Sequence, residues 1–243
     1  EFRFYVNKSK RDNRKIIKLA KLPSNSILFE NICYFRIDCF TVDLPVKQNE
    51  THLIYYYLSN NRNSLFHLES FWKFVMPFIS LISDNVHYLS LSYLDGITNV
   101  SALGNFNNLN LKCCRNITDV SALGNVHTLV LSSCHGITDV NALGNVHNLN
   151  LSLCTKITDV SALGNVHTLN LCGCAKITDL SALGNVHTLY LSHCDKITDV
   201  SVLSNVHTLY FSECRGITDE NIKLLKKRNP NIIIQDYDHE YCD

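Results

Sequence analysis

Side chains able to do chemistry recur at a constant interval in the second half of this chain of 243 residues. Cys114, Cys134, Cys154, Cys174, Cys194 and Cys214 form one series with a 20-residue step. His87, His127, His147, His167, His187 and His207 form another in the same frame, broken by Asn107, and Asp119, Asp139, Asp159, Asp179, Asp199 and Asp219 form a third. Thiols and imidazoles point to zinc or to a thiolate nucleophile, and paired carboxylates point to general acid and base chemistry. Each of these needs convergence. Zinc takes ligands around one point, a nucleophile needs an adjacent base, and an acid/base pair must face across a cleft. A constant interval instead puts copies in a line. The cysteines therefore read as small apolar filler, the aspartates as turn caps, and the histidines as corner residues leading into a strand. No catalytic residue, metal ligand or cofactor is expected, and no phosphate loop, zinc-ligand pair on a helix or nucleophile elbow occurs. Two thiols leave the frame, Cys113 and Cys172, and these are the candidates for exposed, oxidisable cysteine. Neighbouring imidazoles resist charging together, which predicts stability falling below about pH 6.

The elements that hold these columns are legible from one unit, VHTLNLCGCAKITDLSALGN, residues 166–185. Units begin at Val86, Phe106, Val126, Val146, Val166, Val186 and Val206. Leu169 and Leu171 alternate with Asn170 and Cys172, the period of a short strand with one buried face. Ile177, Leu180 and Leu183 supply the remaining inward side chains. A single unit has no core. Stacking in register places Leu on Leu and Ile on Ile, giving a parallel sheet with strands about 4.8 Å apart. Thr178 and Asp179 precede Leu180 to Leu183, where a side-chain oxygen can cap a short 3-10 turn, and a unit this short has no room for a longer helix. Gly104, Gly124, Gly144, Gly164 and Gly184 are expected to supply a backbone conformation other residues dislike, although Ser204 fills the same slot.

The motif LxLxxC followed by ITD resembles the cysteine-containing class of leucine-rich repeat, and ITDVSALGN resembles the convex segment of internalin-type repeats. Near-identical units of this style also resemble repeat proteins encoded by giant DNA viruses of amoebae. The resemblance implies an α/β solenoid: a right-handed coil with a parallel concave sheet, 3-10 turns on the convex side and a helical N-terminal cap. Residues 81–228 form the solenoid in this reading. Residues 1–80 are expected to be mainly helical, and 229–243 to be a C-terminal cap that follows a helix over Glu220 to Lys227. The basic stretch Lys8 to Lys21 reads as a solvated helical face or a localisation signal. Leu22-Pro23 with Ile27, Leu28, Phe29, Ile32 and Tyr34, and Trp72 further on, resembles an F-box, which implies docking on the adaptor subunit of a cullin ubiquitin ligase. The other reading is a plain cap in which Leu65, Leu68, Phe71, Phe74, Val75 and Phe78 cover the first strand.

Twenty-two basic and 22 acidic residues cancel, so nothing in the overall charge drives the chain toward nucleic acid or a membrane. No run approaches the roughly 18 apolar residues that span a bilayer. The first residues lack the layout of a signal peptide, and the cysteine pattern suits a reducing compartment, so the expected location is intracellular and cytoplasmic, in a host cytoplasm if the viral resemblance holds. The expected function is a non-enzymatic scaffold, monomeric, binding a protein partner that the viral resemblance would make a host protein. Positions that vary while the frame repeats locate the contact. The outward strand position includes Asn150, Asn170, Tyr190 and Tyr210, and the positions just after the strand include His193, Asp195, Glu213 and Arg215. These eight residues are the candidate partner-binding site, with Tyr190 and Tyr210 as its anchors.

Overall fold

The computed structural model describes residues 88–235 throughout, together with the backbone of five strands nearer the N-terminus. Those strands are β1 (Phe2–Lys8), β2 (Arg14–Lys21), β3 (Arg36–Ile37), β4 (Phe40–Pro45) and β5 (Leu53–Ile54). The first four make one sheet in the order β1-β2-β4-β3, with β1 and β2 antiparallel. These segments depart from the helical expectation for residues 1–80. Phe2, Phe4, Tyr5 and Val6, and Ile16 and Ile17, are aromatic or β-branched, and this preference prevails over the solvated helix read from the lysines. The F-box-like residues Leu22 to Tyr34, Trp72 and the apolar series Leu65 to Phe78 lie outside the described residues.

The second sheet has nine strands. It starts at β5 and continues through β6 (Tyr88–Ser90), β7 (Asn108–Asn110), β8 (Thr128–Val130), β9 (Asn148–Asn150), β10 (Thr168–Asn170), β11 (Thr188–Tyr190), β12 (Thr208–Tyr210) and β13 (Ile233–Gln235). All of its pairings are parallel, and from β6 to β12 each strand pairs 20 residues on, so Leu89, Leu109, Leu129, Leu149, Leu169, Leu189 and Leu209 stand in one row. Backbone bonding continues past each strand end: Leu131 N–H donates to Asn150 O at 2.8 Å and Ser133 N–H to Ser152 O at 2.8 Å. Every rung is thus tied to the next over a longer stretch than its three-residue strand.

The inward columns expected from the sequence are buried. In the rung beginning at Val166, that residue, Leu169, Leu171, Cys174, Ile177, Leu180 and Leu183 are at most 2% exposed. Each such aliphatic side chain stabilises the coil by about 1.5–3 kcal/mol, but only because the neighbouring rungs enclose it. The return path is a 3-10 turn at residues 101–103, 121–123, 141–145, 161–165 and 181–185.

The last rung changes length because a helix replaces the turn. Thr218 caps Asp219–Arg228 through a box in which its hydroxyl accepts from Asn221 N–H and Asn221 Oδ1 accepts from Thr218 N–H. Leu225 is fully buried against the stack, and Arg228 donates to Ser201 Oγ at 3.1 Å. Asn229 then donates through its side chain to Val206 O at 2.7 Å, and β13 pairs Thr208 with Ile233, a step of 25 residues in place of 20.

Candidate interaction surface

The three recurring columns have separate structural roles. Each ladder cysteine is buried, and its S–H donates to the carbonyl of a leucine in the preceding rung: Cys114 to Leu91, Cys134 to Leu111, Cys154 to Leu131, Cys174 to Leu151, Cys194 to Leu171 and Cys214 to Leu191, at 2.9–3.2 Å. The column is therefore a set of weak polar ties as well as filler. Burial pushes the Cys114 and Cys154 thiols up to about 12 and raises the other four, which suppresses the thiolate. Of the two thiols outside the frame, Cys113 is half-buried, but Cys172 is fully buried and is not the exposed thiol expected. It occupies the column that holds Ser132, Ser152 and Ser192 in other rungs, a small-residue layer closed over by its neighbours.

Five of the six aspartates are turn caps, as their spacing implied; Asp219 instead opens the terminal helix, which Thr218 caps. The Oδ1 atoms of Asp119, Asp139, Asp159, Asp179 and Asp199 accept the backbone N–H two residues on, at 2.8–2.9 Å. Backbone donation from Ser121 and Ser161 holds Asp119 and Asp159 below the usual carboxylate range, and the Ser201 side chain leads the same effect at Asp199. His127, His147, His167, His187 and His207 stand exposed at the corner before each strand, as expected, and His87 lies outside the described residues. Their rings also lie against one another from rung to rung, tilted from His127 to His167 and stacked from His167 to His207, which the spacing alone did not imply. Among the described residues no group of three or more His, Cys, Asp or Glu side chains is placed to hold a metal ion.

The glycine column has a different cause from the one expected. Gly104 and Gly124 have φ of −65° and −63°, ordinary right-handed backbone. What excludes a side chain is proximity: a Cβ on Gly104, Gly124, Gly144 or Gly164 would run into the carbonyl oxygen of Ala122, Ala142, Ala162 or Ala182 in the next rung. The constraint loosens toward the end, where a Cβ on Gly184 would lie 2.9 Å from Val202 O. Ser204 then stands where the following rung carries the helix. Left-handed backbone appears elsewhere, in the column just after each strand: Tyr93, Cys113, Ser133, Leu153, His193 and Glu213 have φ between 50° and 65°, and Gly173 has 71°. The lone glycine was the only hint in the sequence.

The candidate contact residues gather on the last two full rungs. Tyr190 and Tyr210 stack with ring centroids 4.4 Å apart and planes within 4°, both half-buried. Burial, with Tyr210 beside it, raises the Tyr190 hydroxyl above its ordinary value. His193 Nδ1 lies 3.3 Å from Glu213 Oε2, and Asp195 Oδ1 accepts the Arg215 N–H at 3.2 Å. These six residues pair across the two rungs at matching positions, Tyr190 with Tyr210, His193 with Glu213 and Asp195 with Arg215. Asn150 and Asn170 are partly committed to their own chain, because their Oδ1 atoms accept the N–H of Ser152 and Cys172, each at 2.9 Å. At the opposite end Tyr93, in the same column as His193 and Glu213 but not among the eight candidates, is 55% exposed with the Lys112 ammonium 6.0 Å from its ring centre.

No family model matches the chain, and no curated protein matches it. Among solved structures, the internalin InlF of Listeria monocytogenes str. 4b F2365 is 21% identical, covering 66% of this chain and 52% of its own, with a TM-score of 0.48. The Rad7 and Elc1 complex of yeast gives 20% identity over 67% of this chain and 53% of that one, with a TM-score of 0.49. The functional domain of InlJ from Listeria monocytogenes, described as including a cysteine ladder, gives 15% identity over 63% of this chain and 44% of that one, with a TM-score of 0.37. This chain thus spans about half the length of the chains it is similar to. The 20-residue rung, the parallel leucine row in register and the 3-10 return turns make the chain a leucine-rich-repeat solenoid.

Proposed function

We propose that the chain is a non-enzymatic scaffold that binds a protein partner through the sheet face and edge of its last two full rungs. The observation that carries this reading is the stacked pair Tyr190 and Tyr210, two large side chains on outward positions of adjacent strands. Stacking fixes each ring in advance, so little conformational freedom remains to be lost on binding, and tyrosine is favoured at the centre of protein interfaces. His193, Asp195, Glu213 and Arg215 supply a polar border of both signs, with His193 and Glu213 already close enough to pair. A border of this kind selects orientation more than it adds affinity.

The test is affinity capture with the intact chain beside a Tyr190→Ala/Tyr210→Ala double variant. A protein recovered with the parent and lost with a folded double variant supports the site, since truncating such an anchor costs about 2 kcal/mol or more. A partner retained equally by both places the contact elsewhere. The cytoplasm, a host cell's if the viral resemblance holds, is where we place this activity, on the strength of the ladder thiols. The adaptor role in a cullin ubiquitin ligase remains the second reading, resting on Leu22-Pro23 and the residues after it. Removing residues 1–80 separates the two: recovery of ligase subunits only with the intact chain supports the adaptor, and recovery of the same partner by the repeats alone supports the plain scaffold.

A further inference from the structure

We propose that the row of imidazoles from His127 to His207 is a pH-sensitive element of the solenoid, held as a stack while neutral and loosened when adjacent rungs protonate together. Ring centroids along His127, His147, His167, His187 and His207 are 4.7, 4.5, 4.5 and 4.6 Å apart; the first two pairs are tilted by 42° and 33°, and the last two are within 10° of parallel. Four of the rings are oriented by a hydrogen bond between Nδ1 and the hydroxyl of the next residue, at Thr128, Thr168, Thr188 and Thr208. This spacing suits neutral rings. It puts two imidazolium ions in contact once both of a pair are charged, and like charges directly opposite across a sheet destabilise it.

The surroundings do not relieve that repulsion. The charged-group influences on His167 are His147 and His187, from the rungs on either side, and no carboxylate contributes. At the ends of the row the neighbouring rungs offer Asn107, whose carbonyl accepts from His127 N–H, and Ile233, whose N–H donates to His207 O; neither is charged. The row also sits on load-carrying backbone. His147, His167, His187 and His207 each donate their N–H to the carbonyl of the preceding histidine at 3.0–3.1 Å, so side-chain repulsion acts where rung is tied to rung. His187 and His207 immediately precede the strands that end in Tyr190 and Tyr210, three residues along.

The sign follows from the direction of the shift. Slight desolvation and the two flanking imidazoles hold His167 below 6.5 in the folded chain. The unfolded chain therefore takes up this proton first, and stability is lost as pH falls through about 6.5, continuing until the folded value is passed.

The experiment is a residue-by-residue NMR titration of the histidine ring protons in the intact chain, paired with thermal melting at about pH 7.5 and about pH 5.5. Expected are a midpoint for His167 below 6.5 and a lower melting temperature at the acid pH. His187→Gln should move the His167 midpoint upward and shrink the melting-temperature loss. A His167 midpoint at or above 6.5, one that does not move in the His187→Gln variant, or an unchanged melting temperature would overturn the proposal.

Discussion

A glycine and a serine in equivalent slots show how far a residue's tolerance depends on what the next rung brings near it. Gly144 has no room for a methyl group because Ala162 O occupies the space, whereas Ser204 is exposed beside the terminal helix. Gly144→Ala is expected to destabilise the chain by about 1–3 kcal/mol in denaturant unfolding, the usual cost of overpacking. Ser204→Ala should stay within about 0.5 kcal/mol of the parent. The left-handed column gives the converse test. Ser133 holds φ at 59°, which opposes any Cβ and a branched one most of all. Ser133→Val should lower the melting temperature, and Ser133→Gly should leave it equal or higher despite the entropy that glycine adds to the unfolded chain. If Val and Gly proved equivalent there, the column would be a free surface position with no backbone demand.

The same ladder bonding gives each element a measurable signature. Because the ladder thiols are buried, raised in pKa and donated to Leu carbonyls, a thiol reagent at about pH 8 should label Cys113 in the native state before any other described cysteine. Cys172 and the six ladder residues should react only on unfolding. Rapid labelling of Cys154 in the folded chain would contradict the burial of that column. In acid, the turn caps respond next: the depressed carboxyls of Asp119, Asp159 and Asp199 lend stability that is complete above about 3.8 and lost as pH falls below it through their folded values. How much of this was legible in sequence differs by element. The strand, the 3-10 turn and the Asp cap are local, so one unit read correctly settles the central rungs, and the last, where a helix replaces the turn, departs. The S–H donation of Cys114 to Leu91 spans 23 residues and follows only from the stack, as does the obstruction at each glycine. The amide bonds of Asn150 and Asn170 look from sequence like free polar surface, because nothing in their spacing says that Oδ1 turns back to its own chain. Residues 2–21 have no repeat to check a reading against, and there the lysines suggested helix where aromatic and β-branched residues make strands.

Across the whole molecule, stability is a sum of rungs and of the contacts between neighbours, since each rung touches chiefly the one before and the one after. The register makes this testable without altering any contact type. Removing residues 126–145 joins Asn125 to Val146, leaving the local sequence at the junction the same as at other unit boundaries. Leu149 would then lie beside Leu109, Ile157 beside Ile117, and the Cys154 thiol would meet the carbonyl of Leu111 in place of Leu131. A cooperative thermal transition and an unchanged shape of the circular dichroism spectrum are expected, with a lower melting temperature because one set of inter-rung contacts is gone. Removing residues 131–140 deletes half as much chain but joins Val130 to Asn141, which puts an amide in the slot of buried Leu131 and leaves a ten-residue unit without Cys134 and Ile137 between rungs that keep their register with one another. That shorter deletion should lower the melting temperature more than the longer one. Should the two deletions behave alike, the stack would not be held by register, and the identity of successive units would need an explanation other than the packing of one rung on the next.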